Sequence, residues 1–115
     1  MERFLNSFIY AFKGLAYAFK TQLNFKIHCV AAILAIALGL YVHLSIAEWT
    51  WVAISIGLVM IIEVLNTAIE VLVDLISPEK QPKAGAIKDL AAAAVLMSVF
   101  VALTIGLFIF VPKFI

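Results

Sequence analysis

The sequence predicts an all-α integral membrane protein, with an amphipathic surface helix followed by three membrane-spanning helices, and three observations carry that expectation. Of 115 residues, 66% are hydrophobic and only 13% are charged, against an apolar share of roughly 45–50% in soluble domains. Three long apolar segments alternate with short polar ones, and the mean hydropathy is +1.18. A terminal stretch shows apolar residues at helical spacing with its charges on the opposite side.

Residues 2–20 are that stretch. Phe4, Leu5, Phe8, Ile9, Phe12, Leu15, Ala16 and Phe19 share one face, while Glu2, Arg3, Asn6, Lys13 and Lys20 lie largely on the other. Such a helix lies on the membrane, its aromatic side at the acyl boundary and Lys13 and Lys20 at the headgroups. Thr21 to Lys26 reads as a polar break. From 27 to 44 no formally charged residue occurs, and about 18 residues suffice for a short span. His28 and His43 fall at its two ends with no metal-pair spacing. Ser45 to Thr50 reads as a turn, with Trp49 and Trp51 at the interface.

The second span, 49–76, would measure roughly 42 Å against about 30 Å of hydrocarbon, so one end should project. Ser77-Pro78 stops it, and Glu79 to Lys88 reads as a connector containing Pro82, Gly85 and three lysines. The third span, 89–110, passes Ala91-Ala92-Ala93-Ala94, which permits close helix approach, and ends before Pro112. The whole chain, 1–115, reads as one domain. Arg3, Lys13, Lys20 and Lys26 precede the first span and Lys80, Lys83 and Lys88 lie between the second and third. The N-terminus and the 77–88 connector are therefore expected on the cytoplasmic side.

A formal charge of +1 without clustered basic residues gives no footprint for nucleic acid. Cys29, the single cysteine, excludes an intrachain disulfide and reads as a small core residue. No signal-peptide pattern precedes the surface helix, so Met1 is expected to begin the mature protein.

The informative stretch is Glu63-Val64-Leu65-Asn66-Thr67-Ala68-Ile69-Glu70-Val71-Leu72-Val73-Asp74. Glu63, Asn66, Thr67, Glu70 and Asp74 recur every three or four residues and form one polar stripe on an oily helix. A carboxylate at the bilayer centre costs about 2.5–3.5 kcal/mol, so the stripe must face protein, water or ligand. Three thin helices cannot enclose that much charge alone, so a partner chain is expected. Interhelical glue accounts for Asn66 and Thr67 by themselves, but glue does not require three carboxylates. Carboxylates at a water–lipid boundary suit a hard cation such as Mg²⁺ shared with phosphate oxygens. A deeper carboxylate is placed to take a proton from a lipid hydroxyl, and Lys88 to offset phosphate charge. Lys88-Asp89 alone would be an ordinary solvated helix start. The chain has no P-loop, Gly-x-Gly-x-x-Gly or His-Glu-x-x-His motif.

The motif Glu63-x-x-Asn66-Thr67-Ala68-Ile69-Glu70-x-x-x-Asp74, followed by Lys88-Asp89 and an alanine-rich helix, resembles the signature of the prokaryotic diacylglycerol kinase family, which includes undecaprenol kinases. Lys13-Gly14-Leu15 and Asn24-Phe25-Lys26-Ile27-His28 extend the match over nearly the whole chain. The resemblance implies a homotrimeric bundle in the bacterial inner membrane, with active sites between protomers at the cytoplasmic interface. It implies ATP with Mg²⁺ as phosphoryl donor and a membrane lipid alcohol as acceptor, diacylglycerol slightly ahead of undecaprenol. Position by position, it makes Glu63 the general base, Glu70 a metal ligand, and Asn66 and Asp74 supporting polar residues. Lys88 and Asp89 would meet the nucleotide phosphates and their surroundings, and Arg3, Tyr10 and Glu79 would contact nucleotide. Gln22 stands where many members carry a metal-ligating glutamate; its neutral oxygen implies weaker metal binding or a role through water. The readings from other classes are a non-enzymatic membrane oligomer or pore, and a family member that has lost activity.

Overall fold

The computed structural model describes residues 1–115 and consists of four helices: α1 (Glu2–Thr21), α2 (Leu23–Val42), α3 (Ile46–Ile76) and α4 (Pro82–Phe114). The last three are long and apolar enough to cross a membrane. The molecule measures 52 × 42 × 20 Å. The 33 residues of α4 rise about 50 Å, comparable to the longest dimension, and the shortest is about two helix diameters.

Helix α1 carries Glu2 in its first turn and Lys20 in its last, both favourable to the helix dipole. Its aromatic face is solvent-exposed in the chain, with Phe4 and Phe8 edge-to-face at 5.1 Å. Gln22 alone separates it from α2, in extended conformation. Helix α2 therefore begins before the uncharged run. Asn24 and Lys26 are polar but do not break a helix, and Lys26 Nζ lies 5.6 Å from the Phe19 ring, bridging the junction. Ala18 and Phe25 are buried there.

Helix α2 ends at Val42 because His43 adopts the left-handed conformation (φ 58°), and Leu44 N donates back to Gly39 O at 3.2 Å. The expected turn at 45–50 is instead a helix start. Ser45 Oγ accepts from Glu48 N at 3.1 Å and Ser45 N donates to Glu48 Oε1 at 2.9 Å, a reciprocal capping box that opens α3 at Ile46.

Helix α4 likewise starts earlier than expected. Pro82 sits in its first turn, where a missing N–H leaves no bond unmade and the fixed φ favours helix. Most of the 79–88 segment is thus helical. At the other end α4 runs through Pro112 to Phe114. Pro112 lies in the final turn, where its missing N–H removes one backbone bond with little helix beyond it to displace.

The main interface is between α3 and α4, and α2 packs against α3. Leu44, Val52 and Ile109 form a small core at the α2–α3 turn, flanked by Trp49, Ile56, Ile105 and Phe110. Gly39 permits this closure, since a Cβ there would stand 2.7 Å from Trp49 Cη2 and 2.9 Å from Leu44 Cδ1. At the same end Lys113 Nζ meets Glu48 Oε1 at 3.1 Å. Of the alanine run only Ala91 is buried, so close approach involves one alanine rather than four. Large apolar residues along α2 and α4, such as Leu34, Leu40, Phe100 and Phe108, are exposed in the chain. Residues of that character are stable against lipid or another chain.

Candidate active site

The stripe on α3 is present as its spacing predicts, and its exposure is graded. Glu63, Asn66 and Thr67 are buried, Glu70 is half-buried and Asp74 is exposed. Glu63 is the most enclosed large side chain in the protein, with 1% of its surface exposed.

Helical geometry commits several polar groups locally. Thr67 Oγ1 donates to Glu63 O at 3.0 Å, closing on the preceding turn. Asn66 Nδ2 donates to Glu70 Oε1 at 3.1 Å and so orients the Glu70 carboxylate. Both carboxylate oxygens of Glu63, and Oδ1 of Asn66, are buried without a hydrogen-bond partner. Buried polar atoms are nearly always paired, so these three acceptors mark a place for a proton donor or a cation. The nearest ionisable group to Glu63 is His28 on α2, whose Nε2 lies 3.6 Å from Glu63 Oε2. Sequence reasoning missed this contact.

At the outer end of the stripe Lys88 of α4 is ion-paired with Asp74 Oδ1 at 2.5 Å. The extra helical turns of α4 are what carry Lys88 back onto α3. Both residues line a polar cavity of about 340 Å³ with Ser77, Glu79, Lys80 and Gln81. The structure therefore brings Asp74, Glu79 and Lys88 to one recess, next to Glu70 and about three turns of helix from Glu63.

The remaining expected site residues are not joined to the stripe within the chain. Asp89 is exposed and points to no partner side chain. Arg3 and Tyr10 lie on the exposed surface of α1, where Lys13 Nζ sits 5.8 Å from the Tyr10 ring. Gln22 is half-buried at the α1–α2 junction and makes no side-chain hydrogen bond.

No three His, Cys, Asp or Glu side chains converge in the chain. Adjacent oxygen donors on the stripe are the Glu70 carboxylate and the unpartnered Asn66 Oδ1, one turn from the unpartnered Glu63 carboxylate. Hard oxygen donors in that number fit Mg²⁺, which keeps several waters and takes phosphate oxygens as further ligands. A second cavity, about 420 Å³ and almost wholly apolar, opens between α2, α3 and α4 and is bounded by His28, Ser55, Val59, Met60 and Leu103 among others.

Comparison with known proteins gives these features a family. The model for "Prokaryotic diacylglycerol kinase" matches residues 9–110. An undecaprenol kinase of Bacillus subtilis is 42% identical over 113 residues, covering 98% of this chain and 92% of the relative. A diacylglycerol kinase of Synechocystis sp. is 41% identical over 103 residues, covering 89% of this chain and 59% of the relative. A diacylglycerol kinase of Escherichia coli is 37% identical over 93 residues, covering 81% and 76% respectively. With a family match across almost its entire length, relatives named as kinases, and three helices able to span a membrane, the chain belongs to the prokaryotic diacylglycerol kinase family and is a lipid kinase that takes its phosphate from ATP.

Proposed function

We propose that the chain transfers the γ-phosphate of ATP to the hydroxyl of undecaprenol, giving undecaprenyl phosphate. The observation that carries the catalytic part of this reading is the Glu63 carboxylate, buried and unpartnered on a membrane-spanning helix whose outer end bears the Lys88–Asp74 pair. Undecaprenol is placed ahead of diacylglycerol, reversing the slight preference in the sequence reading, because the relative that spans 98% of this chain is named for that acceptor. Diacylglycerol is the second reading, supported by the names of the Synechocystis and E. coli relatives.

In the proposed reaction Glu63 takes the hydroxyl proton as the lipid oxygen bonds to the γ-phosphorus and the bond to the departing ADP breaks. Lys88 offsets the charge on the phosphates and Asp74 holds its ammonium in place. Glu79 lines the polar recess as a nucleotide contact, Asp89 follows Lys88 on α4 as a further one, and Arg3 and Tyr10 contact nucleotide from α1. Glu70, with Asn66 behind it, would hold Mg²⁺, and Gln22 would approach through its amide oxygen or a water. The bound ion supplies charge neutralisation along the phosphates.

The site is further proposed to be completed in a homotrimer. The side chains of Arg3, Tyr10 and Gln22 make no hydrogen bond or ion pair in their own chain, and the exposed apolar faces of α2 and α4 leave room for neighbours. The lysine distribution supports a cytoplasmic N-terminus and 77–88 segment, in the bacterial inner membrane. The test is ATP-dependent phosphorylation by purified protein in mixed micelles, with undecaprenol and diacylglycerol supplied separately and in competition. Undecaprenol is expected to show at least tenfold higher kcat/KM, about 1.4 kcal/mol of discrimination. Equal or reversed preference overturns the choice of acceptor.

A further inference from the structure

A general base works only if its carboxylate is held where the proton will be, and Glu63 has little to hold it. The hydroxyl of Thr67 is turned back onto the Glu63 carbonyl, and the Asn66 amide is engaged by Glu70. No hydrogen bond reaches either Glu63 carboxylate oxygen. On its own helix, therefore, Thr67 Oγ1 and Asn66 Nδ2 donate elsewhere, and the free Asn66 Oδ1 is an acceptor that cannot pair with a carboxylate.

The group that faces it comes from another helix. His28, two turns into α2, places Nε2 3.6 Å from Glu63 Oε2, and its side chain is 19% exposed. The same ring borders the apolar cavity between α2, α3 and α4, so His28 touches both the carboxylate and the space an apolar chain could enter. A separation of 3.6 Å exceeds that of a hydrogen bond, about 2.7–3.2 Å, and catalytic contacts in ligand-free sites commonly tighten when substrate arrives. An unpaired buried carboxylate strongly favours that tightening, because its desolvation is otherwise uncompensated.

We infer that His28 is a positioning residue for Glu63: its Nε2–H donates to one carboxylate oxygen and leaves the other directed at the lipid hydroxyl. This rests on the reading of Glu63 as the base.

The test uses the intact protein in micelles. Replacing His28→Leu is expected to lower kcat about 10–100-fold while the KM for ATP changes less than about threefold. His28→Gln, which keeps an N–H donor at similar reach, is expected to recover activity to within about fivefold of the parent. In a Glu63→Gln background His28→Leu is expected to cost nothing further. Equal losses in the Leu and Gln variants, or an undiminished loss in the Glu63→Gln background, would overturn the inference.

A second readout is independent of turnover and of whether His28→Leu folds. The chain has two histidines, and His43 is at the opposite end of α2. In protein labelled with ¹⁵N-histidine, Glu63→Gln is expected to shift the His28 imidazole resonances and leave those of His43 in place. Unmoved His28 resonances defeat the inference even if Glu63 proves to be the base. Full turnover by Glu63→Gln would instead defeat the base reading while the resonances still report the contact.

Discussion

Lys88→Met separates structure from chemistry at the outer end of the site. The ammonium contacts Asp74, but the two side chains are 40% and 64% exposed, and exposed pairs contribute about 0–1 kcal/mol to stability. Methionine retains most of the apolar stem, so folded protein should survive with a loss of no more than about 1 kcal/mol. A charge aimed at the phosphates in the transition state is worth far more. Removing one such stabilising group typically costs about 10²–10³ in rate, or about 2.7–4 kcal/mol. The two effects thus differ by about 2 kcal/mol or more. The assay is steady-state phosphorylation of lipid over a range of ATP concentrations, with thermal unfolding in the same micelles. Turnover should fall about 100-fold or more while the folded population at assay temperature is unchanged. A fall below about fivefold, or one that simply follows loss of folded protein, would refute the phosphate-facing role of Lys88.

Other perturbations address separate parts of the account. Gly39→Ala places a Cβ against the Trp49 ring, and overpacking of about 1–3 kcal/mol should outweigh up to about 1 kcal/mol of helix propensity; Gly57→Ala, with open space around it, should unfold no earlier than the parent in the same thermal melt. Ser45→Ala removes the cap of α3 and should lower stability by about 1 kcal/mol, with specific kinase activity intact because the cap lies far from the stripe. Gln22→Glu adds a charged ligand at the α1–α2 junction and should lower the Mg²⁺ concentration for half-maximal activity several-fold; an unchanged Mg²⁺ dependence would mean the position does not approach the metal.

What was legible in the sequence follows from how local the signal is. The stripe from Glu63 to Asp74 needed only helical spacing within one apolar segment, and the structure grades its burial from one end to the other. The starts of α3 and α4 lie earlier than the expected spans, as does that of α2, although the signals for α3 and α4 are local. Ser45-x-x-Glu48 is a capping box pattern, and Pro82 is as much a first-turn residue as a breaker; by residue type each suggests a loop, and only position within the element makes each a helix start. The Lys88–Asp74 pair depends on that early start of α4, since only a helical segment from Pro82 returns Lys88 to α3. The His28–Glu63 contact lay beyond local reasoning. It exists because α2 crosses α3, and neither spacing nor periodicity along the chain encodes that crossing. Arg3, Tyr10 and Gln22 show the same limit one level higher, since spacing says nothing of what they meet and within the chain their side chains make no hydrogen bond or ion pair.

The central claim is that Glu63 removes the proton from a lipid alcohol, and phosphoryl transfer by Glu63→Gln tests it most directly. The variant keeps size and shape, so the account predicts a folded, membrane-embedded oligomer that still binds ATP and whose lipid phosphorylation is reduced about 10²–10⁴-fold. Lipid phosphorylation at more than about one-tenth of the parent rate, from protein confirmed to carry the substitution, would contradict it.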